Sequence, residues 1–206
     1  MTDRAGPFRV GFVAGVTPDK WARAWADRMP RASLALVPLT DQDGVALLQR
    51  GELDMCLVRL PVEREGLHLI PLYEERPVVV VAKEHPVAAY DEIDVAELSE
   101  EHLLQDPDDV PAWRDTATEV ADGSRYPVPP MPLAQAVESV AADGGIVIVP
   151  MSLARLHHRR DVVSVPVTGV AATSVGLAWL RDADDERIET FIGVVRGRTV
   201  NSSRGR

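Results

Sequence analysis

The sequence predicts an α/β fold, because apolar runs of strand length alternate with segments of helical periodicity. The clearest case is the stretch 44–61, GVALLQRGELDMCLVRLP, whose first apolar residues recur at helical spacing. Gly51 stands where a C-cap glycine ends a helix, and the apolar run 53–58 that follows has the length of a buried strand. Arg59 follows directly, at the end of a strand where open α/β sheets usually place ligand-binding groups.

The guanidinium group of Arg59 makes a small anion the first ligand to consider. Its donors form a rigid fork that matches the two oxygens of a carboxylate. A solvated arginine at a strand end is the alternative interpretation, and the pattern by itself leaves both open.

Length and composition restrict the protein class. A chain of 206 residues can form one α/β domain or two small lobes, and 46% hydrophobic residues suffice for a full core. The net charge of −10 argues against a nucleic-acid-binding surface spread over the chain. The single cysteine, Cys56, excludes a disulfide within the chain. Neither a membrane span nor a secretory signal is found, so we expect a cytoplasmic protein.

The first half of the chain has the order β-α-β-α-β, followed by two more strands. We predict strands at 8–14, 34–39, 53–58, 67–72 and 77–82, with helices at 18–29 and before the third strand. Thr17 is the expected N-cap of the first helix and Pro18 its first residue. Trp21, Trp25 and Met29 follow at i, i+4 and i+8, which fits either a core face or a protruding dimer surface.

A second unit is predicted from His85 onward. The elements expected from there to the end of the chain are, in order, a short helix capped by Asp94, a brief strand at 102–105, an acidic turn-rich loop at 106–111, a helix with Trp113 on one face, an extended proline-rich segment at 126–132, a helix at 133–142, a strand at 146–149, a helix capped by Ser152, strands at 162–167 and 173–180, and a last helix from 185 to about 197.

Four of these segments carry a family resemblance: RVGFVAG at 9–15, GELDMCLVRLP at 51–61, PVVVVAKEHP at 77–86 and VESVAADGGIVIVP at 137–150. In this order they resemble the effector-binding (substrate-binding) domain of LysR-type transcriptional regulators, over a range from about Phe8 to Arg196. The resemblance implies a two-lobed periplasmic-binding-protein-like (type 2) fold, with two doubly wound lobes joined by a two-crossover hinge. It implies lobe I at residues 8–82 and 168–206, and lobe II at residues 83–167.

The resemblance also implies a ligand site in the cleft between the lobes. In lobe I it points to the two strand-to-helix turns and the strand end, which carry Gly15, Val16, Thr17, Thr40, Asp41 and Arg59. Backbone N–H groups of the first turn are suited to an anion, although Pro18 removes one of them. In lobe II it points to the acidic loop with Asp106 and Pro111, and to Trp113 as an apolar or stacking wall. Packing within its own lobe is the alternative for Trp113.

The function implied is that of a small-molecule effector-binding module. Regulators of this family begin with a winged helix-turn-helix, whereas this chain reaches its first strand by Phe8, so we expect a module without its own DNA-binding domain. The resemblance implies a homodimer formed through the first and last helices of lobe I, with no direct contact to nucleic acid or membrane. Asp41, Asp106, Asp108 and Asp109 disfavour a multiply charged anion and leave room for a zwitterion or an amine. With Arg59 as a candidate partner for a carboxylate, we expect a small carboxylate-containing or zwitterionic metabolite.

Two other functions share this architecture. A solute-binding receptor of a transporter would need export, and the missing signal peptide argues against it. An enzyme would need catalytic groups, but His85, His102, His157 and His158 have no partners at the spacing of a catalytic triad or metal site. We therefore expect no catalytic residue, no metal and no cofactor.

Overall fold

The computed structural model describes residues 6–40 and 43–197 of the protein. The chain forms two compact units, and each contains a β-sheet. The first unit takes in the chain up to Tyr73 and again from Ser174 onward, and the second unit is Glu74–Thr173. The chain thus passes from one unit to the other and back, and the fold is α/β as predicted.

The strands are β1 (Phe8–Val13), β2 (Leu34–Leu39), β3 (Met55–Leu60), β4 (Leu67–Glu75), β5 (Pro77–Ala82), β6 (Ile93–Asp94), β7 (Val147–Pro150), β8 (Val162–Thr168) and β9 (Thr173–Leu180). The α-helices are α1 (Asp19–Arg28), α2 (Asp43–Gln49), α3 (Pro111–Arg114), α4 (Thr118–Ala121), α5 (Leu133–Ala141), α6 (Met151–Leu156) and α7 (Glu186–Val195). Short 3-10 helices lie at Pro86–Ala89, Val95–Leu98 and Pro107–Asp109. Among the described residues, no helix has the length and apolar character needed to cross a bilayer.

The sheet of the first unit has the strand order β2-β1-β3-β9-β4. The first three strands are parallel, with Val10 of β1 opposite both Leu36 of β2 and Met55 of β3. Their C-terminal ends therefore lie along one edge of the sheet, which we call the first-unit edge. Strand β9 returns antiparallel to β3 and places Val175 opposite Arg59.

The sheet of the second unit has the order β6-β8-β5-β7. Strand β5 lies between two partners, because Val79 is opposite both Ile148 of β7 and Val165 of β8. The lobe boundaries predicted at 82/83 and 167/168 therefore differ from the structure, in which β5 and all of β8 belong to the second unit. An almost wholly valine strand fits the centre of either sheet, so the choice of its partners depends on tertiary contacts.

Aromatic side chains fill the core of the first unit. The rings of Phe8 and Trp25 are stacked with centroids 5.0 Å apart, and Phe191 of α7 lies 5.8 Å from Trp25. Trp25 is 1% exposed and donates its indole N–H to the carbonyl of Ala32 at 2.8 Å, and Trp21 is also buried. These two tryptophans therefore belong to the core and do not form a protruding surface.

Several predicted element ends are corrected by the structure. The N-cap of α1 is Pro18 and not Thr17, and the N-cap of α6 is Pro150 and not Ser152. The strand predicted at 102–105 is a single bridge between Leu103 and Ile146. The two differences in helix caps are local, because the predicted and observed N-cap residues lie one or two positions apart.

Candidate functional site

The turn after β1 is only partly available to a ligand. Gly15 has a φ of 84°, a left-handed conformation that glycine adopts without a steric penalty. Val16 donates its N–H to the carbonyl of Val13 at 3.2 Å, and its side chain is buried in the core. Val16 is thus a structural residue of the turn, in contrast to the predicted ligand role, whereas Thr17 is exposed at the same place.

Arg59 lies beside this turn. Its Nη2 donates a hydrogen bond of 3.0 Å to the carbonyl of Ala14, which joins the end of β3 to the end of β1. The structure therefore brings together Arg59 and Gly15, which are 44 positions apart in the sequence. A guanidinium group held at the C-terminal ends of parallel strands is suited to recognise a carboxylate.

The turn after β2 completes the first-unit edge. Thr40 is exposed, and its hydroxyl donates a hydrogen bond of 2.5 Å to Oδ2 of Asp43, the first residue of α2. Asp41, also predicted as a ligand contact, lies outside the described residues. The hydroxyl of Thr40 is therefore engaged at the start of α2.

Trp113 is a core residue of the second unit. Its side chain is 0% exposed, and its indole N–H donates to the carbonyl of Leu98 at 2.9 Å. The guanidinium carbon of Arg125 lies 5.5 Å from the ring centroid, a cation–π arrangement. The prediction that Trp113 forms a ligand wall is therefore wrong, because its ring is covered by its own unit.

The acidic loop before α3 concentrates negative charge. Asp106 accepts a hydrogen bond of 2.9 Å from the N–H of Asp108 and so caps the 3-10 helix Pro107–Asp109. Partial burial, together with the charges of Asp106 and Asp108, raises the pKa of Asp109. Pro111 is exposed at the start of α3. Crowded carboxylates of this kind favour a cationic group in their vicinity.

A cavity of about 540 Å³ lies within the second unit, and we call it the ligand cavity. Its size suits a small metabolite. Two of the carboxylates, Asp106 and Asp109, line it together with Gln105 and Arg125. The rest of the lining is largely apolar and comprises Leu104, Pro107, Pro127, Val128, Pro129, Pro130, Met131, Leu133, Ala136, Val147 and Val149. The sequence predicted Asp106 and Pro111 as ligand contacts in a cleft between lobes. The structure instead places Asp106 in the lining of this cavity within the second unit, and Pro111 is not part of that lining.

The part of the ligand cavity lining that contains Arg125 was not predicted from the sequence. Arg125 is held there by an ion pair to Oε1 of Glu119 and by hydrogen bonds from Nη2 to the carbonyls of Leu103 and Gln105, at 2.7 and 3.0 Å. The proline-rich segment after Arg125 is extended and supplies the apolar wall. Its four prolines beside an arginine were the available signal, because prolines cannot continue a helix and leave the chain free to line a cavity.

Thiol and metal chemistry find little support in the described residues. Cys56 is 0% exposed, and burial raises the pKa of its thiol to about 12. A thiol in this environment stays protonated and is a poor nucleophile. Within residues 6–40 and 43–197, no group of three or more His, Cys, Asp or Glu side chains is arranged to hold a metal ion.

Comparison with known proteins gives a consistent family assignment. The model of the LysR substrate binding domain matches residues 2–199. A probable hydrogen peroxide-inducible genes activator from Mycobacterium avium is 30% identical over 166 residues, which are 77% of this chain and 53% of that protein. The HTH-type transcriptional regulator MetR from Salmonella typhimurium is 28% identical over 183 residues, or 81% of this chain and 55% of that protein.

The chain spans about half the length of these curated relatives, which are transcriptional regulators and not enzymes. Among solved structures, the BenM effector binding domain with its effector benzoate superposes with a TM-score of 0.71 at 18% identity. That comparison covers 97% of this chain and 95% of the BenM domain. At this identity the likeness shows a shared fold.

Proposed function

The chain belongs to the family of LysR substrate-binding domains, and from this premise we propose that it binds a small carboxylate-containing or zwitterionic metabolite as the effector of a transcription regulator. The observation that carries the ligand class is the lining of the ligand cavity, where Asp106 and Asp109 stand in a largely apolar wall. A ligand amino group would pair with these carboxylates, while an apolar body would pack against the prolines and valines. A zwitterion therefore fits this lining better than a simple dicarboxylate.

Arg59 of the first unit is proposed separately, without reference to the ligand cavity, as a residue that binds a ligand carboxylate. Arg59 stands at the first-unit edge with its Nη2 hydrogen-bonded to the carbonyl of Ala14. Its planar fork suits two parallel hydrogen bonds to a carboxylate, a geometry that a lysine would not reproduce.

Replacing Arg59 by alanine is expected to weaken binding of the best ligand by roughly tenfold or more, because a charge-assisted hydrogen bond contributes about 1.5 to 3 kcal/mol. A thermal-shift screen of amino acids, aromatic acids and dicarboxylic acids would identify that ligand, and calorimetric titration of the wild type and Arg59→Ala would give the affinities. The Asp109→Asn variant should weaken an amino acid more than the acid that lacks its amino group.

Arg50→Ala is the matched control for this measurement. Arg50 is an exposed arginine of the same unit whose ion pair with Glu52, at 2.6 Å, lies at the surface. Its removal should leave ligand affinity unchanged. Equal stabilisation of the wild type and Arg59→Ala by the best ligand would show that Arg59 does not hold the carboxylate.

Peroxide sensing through a thiol is disfavoured, although one relative is named for hydrogen peroxide-inducible genes. A thiol sensor needs an accessible thiolate, whereas Cys56 is buried with a pKa of about 12. We expect native protein treated with a few equivalents of hydrogen peroxide to keep Cys56 reduced in intact mass spectrometry. Oxidation should follow only after unfolding in urea, and a stable Cys56 sulfenic acid in the folded protein would contradict this.

Regulators of this family bind small-molecule effectors and are oligomeric. Homodimerisation through α1 and α7, in the cytoplasm where transcription regulators act, is part of the proposal. It is supported by the packing of these two helices against each other in the first unit, where Trp25 and Phe191 are in contact.

A further inference from the structure

His85 and His102, each paired with a glutamate, line a second cavity of the Glu74–Thr173 unit, of about 1140 Å³, which we call the histidine cavity. Nε2 of His85 lies 3.2 Å from Oε2 of Glu101, and Nδ1 of His102 lies 2.6 Å from Oε2 of Glu119. No lining residue is shared between the histidine cavity and the ligand cavity. The proposed function uses neither pair.

The two histidines differ in what protonation would do. Nδ1 of His85 accepts the N–H of Val87 at 3.2 Å, so a second proton on His85 would break this cap. Nδ1 of His102 faces the acceptor-only carboxylate of Glu119, so it carries the proton in the neutral ring and a second proton goes onto Nε2. Nε2 of His102 is buried and has no hydrogen-bond partner in the described part of the chain. The imidazolium would therefore be stabilised chiefly through Glu119.

Glu119 connects His102 to the ligand cavity. Its other oxygen, Oε1, pairs with Nη1 of Arg125, and Arg125 lines the ligand cavity. Arg125 Nη2 donates to the carbonyl of Gln105 at 3.0 Å, and the Gln105 side chain accepts the N–H of Ile148 at 2.8 Å. These contacts form a continuous network of hydrogen bonds and ion pairs from one cavity to the other.

The charged residues of this hydrogen-bond network are largely shielded from solvent. The side chains of His102, Glu119 and Arg125 are 13%, 17% and 14% exposed. Interactions among partly buried charges are screened by salt much less than those at the surface. A change of charge on His102 therefore changes the electrostatic potential at Arg125.

We propose that protonation of His102 regulates the ligand cavity through Glu119 and Arg125, an inference that rests on the proposed function of that cavity. With His102 neutral, Arg125 and Glu119 balance each other. A proton on His102 adds one positive charge to the group, and Arg125 then presents an uncompensated positive potential to the ligand cavity. Lower pH strengthens the binding of a ligand carboxylate there and weakens the binding of an ammonium group.

The surroundings of His102 contain both signs of charge. The ring of Tyr126 stacks on the imidazole with centroids 4.2 Å apart. Carboxylates lining the same cavity are Glu84, Glu101, Asp143 and Asp161, and the cations are Lys83, Arg159 and Arg160, with His85 as a second titrating ring. Glu101 faces His85, and Asp161 is held by two hydrogen bonds from Arg159. Glu119 is accordingly the carboxylate in direct contact with His102.

Nuclear magnetic resonance of the chain without ligand tests the coupling. Histidine is the side chain whose charge ordinarily changes between about pH 5 and 8. Across this range, the Arg125 Nε–H and Ile148 amide signals are expected to shift with the same midpoint as the His102 ring. In Glu119→Gln the Arg125 and Ile148 signals are expected no longer to follow those of the His102 ring.

His102→Gln should abolish the shifts, and His85→Gln is the matched control that should leave them in place. Signals of Arg125 and Ile148 that stay constant while His102 titrates would overturn the inference. Shifts that persist with an unchanged midpoint in His102→Gln would also overturn it. Both observations are made on ligand-free protein, so they do not depend on whether the proposed function is right.

A second arm uses benzoate and benzylamine, which have similar shapes and opposite charges. Between pH 8 and pH 6 the wild type is expected to gain roughly fivefold or more in benzoate affinity and to lose affinity for benzylamine. Both trends should disappear in His102→Gln and persist in His85→Gln. Trends that are the same in His102→Gln and wild type would overturn the regulation. Failure of both probes to bind counts against the proposed function, and the ligand-free spectra then decide the coupling.

Discussion

Replacing Trp113 by alanine is expected to lower the free energy of unfolding of the second unit by about 3 to 5 kcal/mol, the usual cost of deleting a large buried aromatic side chain. The ring is 0% exposed, so its removal leaves a cavity that the surrounding side chains fill only partly. The carbonyl of Leu98 also loses the indole N–H that it accepts at 2.9 Å. Urea denaturation followed by far-ultraviolet circular dichroism would measure the loss.

Trp113→Phe is the informative control. It keeps most of the apolar volume and removes the indole N–H, so the expected loss is smaller, roughly 1 to 3 kcal/mol. Trp113→Ala with wild-type stability but impaired ligand binding would contradict the burial and restore Trp113 as a ligand wall.

Replacing Asp54 by alanine is expected to destabilise the first unit by roughly 2 to 3 kcal/mol, because the backbone N–H and the partly exposed guanidinium of Arg9 both lose the buried carboxylate that accepts their hydrogen bonds. The Asp54 carboxylate is 4% exposed and accepts the backbone N–H of Arg9 at 2.7 Å. It also accepts Nη2 of the Arg9 side chain at 3.1 Å, while its own N–H donates to the carbonyl of Arg9 at 2.9 Å. Loss of Asp54 therefore weakens the join between β1 and the start of β3.

Glu52, two residues earlier, provides the matched comparison for Asp54. It is also paired with an arginine, at 2.6 Å from Arg50, but both side chains are more than half exposed. Surface ion pairs contribute little, so Glu52→Ala is expected to change stability by no more than about 0.5 kcal/mol. Equal losses for Glu52→Ala and Asp54→Ala in urea denaturation would show that burial does not set the strength of the Asp54 contact.

Local patterns predicted most elements of the fold. Strand β5 occupies 77–82 as expected, β9 occupies 173–180, and α5 ends one residue before the predicted 142. These elements show either a run of β-branched residues or a helical period of apolar residues, and both patterns can be read from residues that are close together in the sequence. The segment 102–105 lacked such support, because an extended stretch becomes a strand only when a partner pairs with it.

The candidate site was predictable to a smaller extent. The position of Arg59 at a strand end and the acidic loop at Asp106 followed from local sequence, and the structure places Arg59 beside the first turn. Trp113 was misjudged, because its burial depends on Leu98 and Arg125, which are 15 and 12 residues away. Arg125 was not recognised as a cavity residue, because its side chain is held in place by Glu119 and by the backbone carbonyls of Leu103 and Gln105, contacts that local sequence does not reveal.

The sequence by itself determined the α/β class and the order of the elements, because strand and helix periods depend on side chains a few positions apart. Its four family-like segments also indicated the LysR substrate-binding family, which the family match bears out. Only the tertiary structure decided which sheet receives β5, that Trp21, Trp25 and Trp113 are core, and that His102 is joined to Arg125 through Glu119. Burial and ion pairing are properties of the space around a side chain, and that space is built from residues far apart along the chain.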